Sequence, residues 1–141
     1  MQITQLDALI YVGPQISIAD VEDLKRLKIR MVIVARPEGE TADQLTISEV
    51  HASADTLGIT VHKIPVISGK ITDEDVRAYG AITSAAGHPV LAYCRSGMRA
   101  TSLWALNAAE QGQSPEEFLR RAKAAGFDPS SLADRLAAQA A

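Results

Sequence analysis

No stretch of this chain leaves fewer structural options than Pro89-Val90-Leu91-Ala92-Tyr93-Cys94-Arg95-Ser96-Gly97-Met98-Arg99-Ala100-Thr101. It opens as a short apolar run behind a proline, the pattern of a buried strand that starts from a turn. The run ends on Cys94, the only cysteine of the chain. Arg95, Ser96 and Gly97 then read as a tight polar turn, and helix formers run from Arg99 through Asn107. A strand that delivers a cysteine to a short loop and a helix N-terminus makes a compact anion site. Loop and first-turn N–H groups converge there, and the helix dipole adds positive potential. With Arg95 and Arg99 close by, that field favours a thiolate at Cys94. The plainer reading is a small inert cysteine closing a core strand. The arginines and glycine that follow Cys94 at once favour the reactive one.

The rest of the chain alternates strand and helix. Ala8-Leu9-Ile10-Tyr11-Val12 is a β-rich run closed by Gly13-Pro14. Ser17 and Asp20 stand as a capping box for a helix with Val21 and Leu24 inward. Arg30-Met31-Val32-Ile33-Val34-Ala35 is short, nearly unbroken and β-branched, as a strand buried on both faces is. A polar loop from Arg36 to Glu40 leaves it. Thr46 and Glu49 form a second box, with Gly58 as the stop. Ile59 to Val66 reads as a strand, and Ile67 to Ile71 as a loop. Thr72 caps a helix whose first turn carries Asp73, Glu74 and Asp75, and Gly87 ends it. After the cysteine segment, Ser114-Pro115-Glu116-Glu117 starts a further helix that Gly126 ends. Ser131 begins the last, with Leu132 and Leu136 inward. Alternating units of this size predict one α/β domain over residues 1–141, with a central, mainly parallel sheet flanked by helices. Cys94 then lies at the C-terminal end of a strand, where such sheets bind ligands.

Composition narrows the classes of function. The 141 residues are 47% hydrophobic, enough for a real core, and carry a net charge of −3. That charge gives no reason to expect nucleic acid or an anionic membrane as partner. A lone cysteine excludes an internal disulfide framework and fits a reducing, cytoplasmic setting. The N-terminus shows no signal-peptide pattern, and no apolar run approaches the roughly 20 residues that span a bilayer. His51, His62 and His88 are scattered without ligand spacing, so neither a metal nor another cofactor is expected.

The string Cys94-Arg95-Ser96-Gly97-Met98-Arg99 resembles the active loop of rhodanese-type sulfurtransferases, which separate Cys and Arg by four residues. It also resembles, one residue short, the phosphate loop of cysteine-dependent phosphatases. Nearly the whole chain, from Leu9-Ile10-Tyr11-Val12-Gly13 through Ile64-Pro65-Val66 to the C-terminal helices, is similar to the phosphatase-like domain of beta-lactamase-hydrolase-like proteins. That resemblance implies a protein-tyrosine-phosphatase-like fold carrying a rhodanese-type loop. It also implies a persulfide-oxidising metallo-hydrolase domain as a partner, here expected in trans because this sequence stops without one.

Two arguments then point to sulfane-sulfur transfer. A loop of six residues, Cys94 to Arg99, makes a smaller cradle than the phosphatase loop and suits a persulfide sulfur. In addition, the loop after the preceding strand, Val66 to Lys70, has no acid to protonate a leaving oxygen, a step worth about 10²–10⁴-fold. Asp73 and Asp75 come next but sit where a helix start wants acids. Tyr93 stands where phosphatases usually carry His. The expectation is therefore a sulfurtransferase with Cys94 as nucleophile and Arg99 as anion stabiliser. It would take an anionic sulfur donor, thiosulfate or a low-molecular-weight persulfide, and pass the sulfur to a thiol or cyanide. Arg95, Ser96, Gly97 and Met98 would bind substrate, with Gly97 there for its backbone conformation. A cysteine-dependent phosphatase is the alternative, and an idle docking module the third reading. Arg36 reads as an exposed loop arginine rather than a pocket residue, and Trp104 as packing for the helix behind the loop.

Overall fold

The computed structural model describes residues 1–128 together with Leu132 and Arg135. In chain order it shows β1 (Thr4–Asp7), β2 (Ile10–Gly13), α1 (Ile18–Arg26), β3 (Met31–Val34), α2 (Ile47–Asp55) and β4 (Thr60–Lys63). These are followed by α3 (Asp73–Ala86), β5 (Val90–Tyr93), α4 (Met98–Glu110) and α5 (Pro115–Ala124). The helix expected from Ser131 lies outside the described residues.

The helix starts follow the capping chemistry of the sequence. Ser17, Thr46 and Thr72 each accept the N–H of the residue three on, and Asp20, Glu49 and Asp75 reach back to the cap N–H. Each box satisfies two of the N–H groups that a helix start leaves without partners. Gly87 ends α3 in the left-handed conformation, at φ 65°.

The strands form one sheet in the order β1-β2-β5-β3-β4. All neighbours are parallel except β1, which pairs antiparallel with β2. β1 is a correction to the sequence reading, which left residues before Ala8 outside any strand. The parallel strands are joined through helices that cover both faces. Val32, Val34, Leu91 and Tyr93 point to the side of α1 and α2. Ile33, Val90, Ala92 and Cys94 point to the side of α3, α4 and α5. This two-residue alternation decides the site: on β5 it sends Tyr93 to one layer and Cys94 to the other. α4 is buried at nearly every position from Arg99 to Ala109, as expected of a helix enclosed on all sides.

Candidate active site

β5 lies between β2 and β3, so its C-terminal end opens beside the chain reversals after both neighbours. Cys94 is the first residue past that end, 1% exposed, with its N–H donated to the Gly13 carbonyl at 3.3 Å. The chain then turns through Gly97, at φ 99°, straight into α4. That angle is open to glycine, and a Cβ there would lie 2.8 Å from Cζ of Phe127. The turn aims the Gly97 N–H at Cys94 Sγ, 3.1 Å away. Ser96 Oγ accepts the Met98 N–H at 3.3 Å, so Ser96 serves the helix start rather than the sulfur.

Arg99, in the first turn of α4, is nearly buried and spans the site. Its Nη1 donates to Glu40 Oε2 and to the Val66 carbonyl, both at 2.8 Å, and its Nη2 donates to Glu40 Oε1 at 2.8 Å. The Glu40 bonds form a two-pronged ion pair. Both that pair and the nearby Cys94 raise the Arg99 pKa further, against the opposing effect of burial. Glu40 also accepts from Arg36 Nε at 2.9 Å, and Arg36 Nη1 donates to Gln15 Oε1 at 3.0 Å. The hydrogen bonds from Arg99, then from Arg36, hold the Glu40 carboxyl at about 2, below its usual 4.5, with burial opposing. Gln44 fixes the loop by accepting the Glu40 N–H and donating to the Pro37 carbonyl.

Arg36 is thus a second correction. It is 1% exposed, not a loop arginine in water, and its Nη2 has no hydrogen-bond partner among the described residues. Glu40 and Gln15 carry no motif signal. The readable hint was a charged pair four apart, Arg36 and Glu40, directly after a strand buried on both faces. Tyr93 faces away from the sulfur, and burial pushes its phenol up to about 12.

A cavity of about 440 Å³ adjoins the loop, lined by Glu40, Ile67, Ser68, Arg95, Ser96, Met98 and Arg99. The structure therefore brings Arg95, Ser96, Met98 and Arg99 to one cavity, and places Cys94 and Gly97 in the turn behind it. Asp73 and Asp75 stay at the start of α3, in an ion pair with Arg135 and in the capping box respectively. Trp104 packs edge-on against Phe118, at 6.4 Å between ring centres, and donates Nε1–H to Asp7 Oδ2 at 3.0 Å. Among the described residues, no group of three or more His, Cys, Asp or Glu side chains converges to hold a metal ion. No helix among them is long and apolar enough to cross a membrane.

Residues 3–111 match the family profile described as Beta-lactamase hydrolase-like protein, phosphatase-like domain. A Beta-lactamase hydrolase-like protein of Agrobacterium fabrum is 30% identical over 129 residues, 91% of this chain. This chain spans 30% of that relative's length. Among solved structures, a candidate phosphatase of Neisseria meningitidis is 34% identical, with a TM-score of 0.89 and 99% of both chains covered. Pseudomonas aeruginosa TpbA, solved with phosphotyrosine, shares the fold at a TM-score of 0.70 and 18% identity, over 97% of this chain and 81% of its own.

These likenesses establish the phosphatase-like fold and overturn the expectation of a thiosulfate or persulfide sulfurtransferase. The family description and the relative at 34% identity both speak for a phosphatase. The argument from loop length fails for a physical reason. The turn places one N–H, that of Gly97, on the sulfur, and beside it lies a cavity of about 440 Å³ lined by Arg99, far larger than a single sulfur atom needs. Ring size in the loop therefore does not choose between sulfur and phosphoryl chemistry.

Proposed function

The chain belongs to the family of phosphatase-like domains of beta-lactamase hydrolase-like proteins, and from that membership we propose that it is a cysteine-dependent phosphatase. The observation that carries the reading is the Cys94–Gly97 turn, with Sγ held at the N-terminus of α4 beside Arg99. In this mechanism the Cys94 thiolate attacks phosphorus, an S–P bond forms, and the P–O bond to the leaving group breaks. The electron pair goes to the departing oxygen. Water then attacks the phosphocysteine, the S–P bond breaks, and orthophosphate leaves with the thiolate restored.

The chain's own groups have distinct parts in this. The N–H groups at the start of α4 and the N–H donors of Arg99 not spent on Glu40 and Val66 face the phosphoryl oxygens. Glu40 holds the guanidinium plane in position, so Arg99 does not reorganise during the reaction. Arg95 and Met98 border the cavity in which the rest of the substrate sits.

The test is release of inorganic phosphate from p-nitrophenyl phosphate by the wild type and by Cys94→Ser. Release that disappears in the variant, together with a phosphorylated Cys94 found by mass spectrometry after rapid quenching, is the expected outcome. Equal release from both proteins, or none from either, sinks the reading.

A further inference from the structure

We propose that a cavity at the other end of β5, between the β1–β2 turn and the last turns of α3 and α4, binds the ammonium group of a small organic amine, with Asp7 as its counter-charge. The site is separate from the loop at Cys94, and the inference does not depend on the phosphatase reading.

The cavity measures about 300 Å³. Leu9, on its wall, accepts the Val90 N–H through its carbonyl at 2.8 Å, so the cavity lies where β5 starts, away from Cys94. Of the described residues that line it, Asp7 is the one charged side chain. Three N–H groups bond to its carboxylate, those of Leu9 and Ile10 to Oδ1 and that of the Trp104 indole to Oδ2. A carboxylate offers about four lone-pair sites, so Oδ2 keeps one for a further donor. None of the ion pairs among the described residues includes Asp7. The cavity also takes in the last turn of α3, through Thr83 and Ser84, and that of α4, through Asn107 and Ala108. A helix carries partial negative charge at its C-terminus, and neither of these last turns holds a basic residue to answer it. One carboxylate and two helix ends therefore give this cavity a negative field, the reverse of the field at Cys94.

A second, independent observation is a buried hydroxyl. Tyr79 lines the same cavity at 1% exposed, and its hydroxyl has no hydrogen-bond partner among the described residues. Burying such a group unpaired is costly. Burial, then the charge of Asp7, raises its pKa, so the hydroxyl lies within the field of that carboxylate and stays a neutral phenol whose oxygen can accept. The other hydroxyls on the wall are spent, Thr83 on the Tyr79 carbonyl and Ser84 on that of Ala81. Asn107 rests against Gly80, where a Cβ would lie 2.5 Å from its Oδ1, so the glycine leaves this amide its place. An ammonium group has three N–H donors. Asp7 Oδ2, the Tyr79 hydroxyl and an amide oxygen of Asn107 or Gln113 are three acceptors on the wall to receive them. Tyr79 and Trp104 are both aromatic and add the attraction of a ring for a cation. Leu9, Ile10 and Ala108 supply apolar wall for a short alkyl stem. An anion of the same size would be repelled.

Trp104 is the only tryptophan of the chain, and its indole is bonded to Asp7, so its fluorescence reports on this cavity. The experiment titrates the full chain with n-butylammonium chloride, and in parallel with n-butanol, sodium butyrate and sodium chloride at matched ionic strength. The expected result is a saturable change in fluorescence with the amine alone, and a melting temperature that rises with it. Asp7→Asn keeps an oxygen for the backbone N–H groups but loses the charge. It should weaken amine binding by about tenfold or more, as the loss of a hydrogen bond to a charged group does. Tyr79→Phe keeps the ring. Without amine it should melt no lower than the wild type, because the hydroxyl it loses has no bond to break, while amine binding weakens several-fold. Unchanged amine binding in Tyr79→Phe overturns the proposal, whatever the fate of Asp7→Asn. An equal response to n-butanol or sodium butyrate, or no saturable response to the amine, also overturns it. Cys94→Ser should bind the amine as the wild type does, and a loss there would move the amine to the catalytic loop and sink the proposal.

Discussion

Glu40 joins residues that the sequence keeps far apart. Arg36 lies just past β3 and Arg99 in the first turn of α4, and both guanidinium groups are nearly buried. A buried cation without a counter-charge is costly, and one carboxylate serves both. Glu40→Gln should therefore destabilise the fold. Removing one partner of a fully buried pair costs about 3–5 kcal/mol, and the loss here should be smaller because the Glu40 side chain is 28% exposed. The pH dependence has a definite sign. In the unfolded chain Glu40 takes up its proton near its ordinary 4.5, whereas in the folded chain it does so only near 2. Between those values the unfolded state holds the extra proton, so the Glu40 contribution is fully present above that window and is lost as pH falls through it. Urea titrations of wild type and Glu40→Gln should show a difference in stability that shrinks from pH 5 towards pH 2. A constant difference would mean that the ion pair does not set the acid limb. In the sequence only the Arg36–Glu40 half of this leaves a hint, a charged pair four apart. The cysteine and Arg99 lie in one short motif, but Glu40 reaches Arg99 across 59 positions, and a polar loop residue gives no local sign of such a partner.

At the level of elements, the sequence was most legible where the chemistry is local. The three capping boxes and the glycine that ends α3 are short-range patterns; α1, α2 and α3 begin on the boxes, and α3 ends on the glycine. The apolar runs that became β3 and β5 were equally plain, because burial on both faces leaves no polar alternation to misread. β1 was invisible for the opposite reason. It is four residues long, lies at the edge of the sheet and has a register shift between Gln5 and Asp7. What holds it is tertiary. Asp7 Oδ1 accepts the Leu9 and Ile10 N–H groups that shape the hairpin, and Oδ2 accepts the indole N–H of Trp104 in α4. This ties the edge of the sheet to the middle of the helix that opens at the site. Trp104→Phe keeps most of the ring but deletes that donor. Unfolding by denaturant should show a loss of about 1.5–3 kcal/mol, the range for a hydrogen bond to a charged group. Hydrogen exchange at β1 amides should rise by more than at β5. Uniform protection across both strands would show that β1 is held by other means.

For the molecule as a whole, the sheet order explains why one end carries the chemistry and the other does not. Inserting β5 between β2 and β3 brings the loops after three strands together, so Gln15 accepts from Arg36 through its side chain and donates its N–H to the carbonyl of Arg95, next to Cys94, although the three come from separate segments. Apolar layers on both faces keep β5 rigid and leave its C-terminal end as the place where polar groups collect. Such an end should behave as an anion trap coupled to global stability, since a ligand that binds only the folded state stabilises it by mass action. Orthophosphate, the product of the proposed reaction, should raise the melting temperature. At 100 times its Kd the gain is about 2.7 kcal/mol. Arg99→Lys keeps the charge but loses the planar fork that Glu40 orients. The variant should melt lower without ligand and respond less to phosphate at every concentration, with chloride at equal ionic strength as the control. Trp104→Phe, whose change lies midway along α4 and outside the cavity beside the loop, should melt lower yet keep the full phosphate response. If both variants lose the response equally, phosphate is acting on the surface at large. If only Arg99→Lys loses it, the stability of the whole fold is coupled to the end of β5 where Cys94 lies.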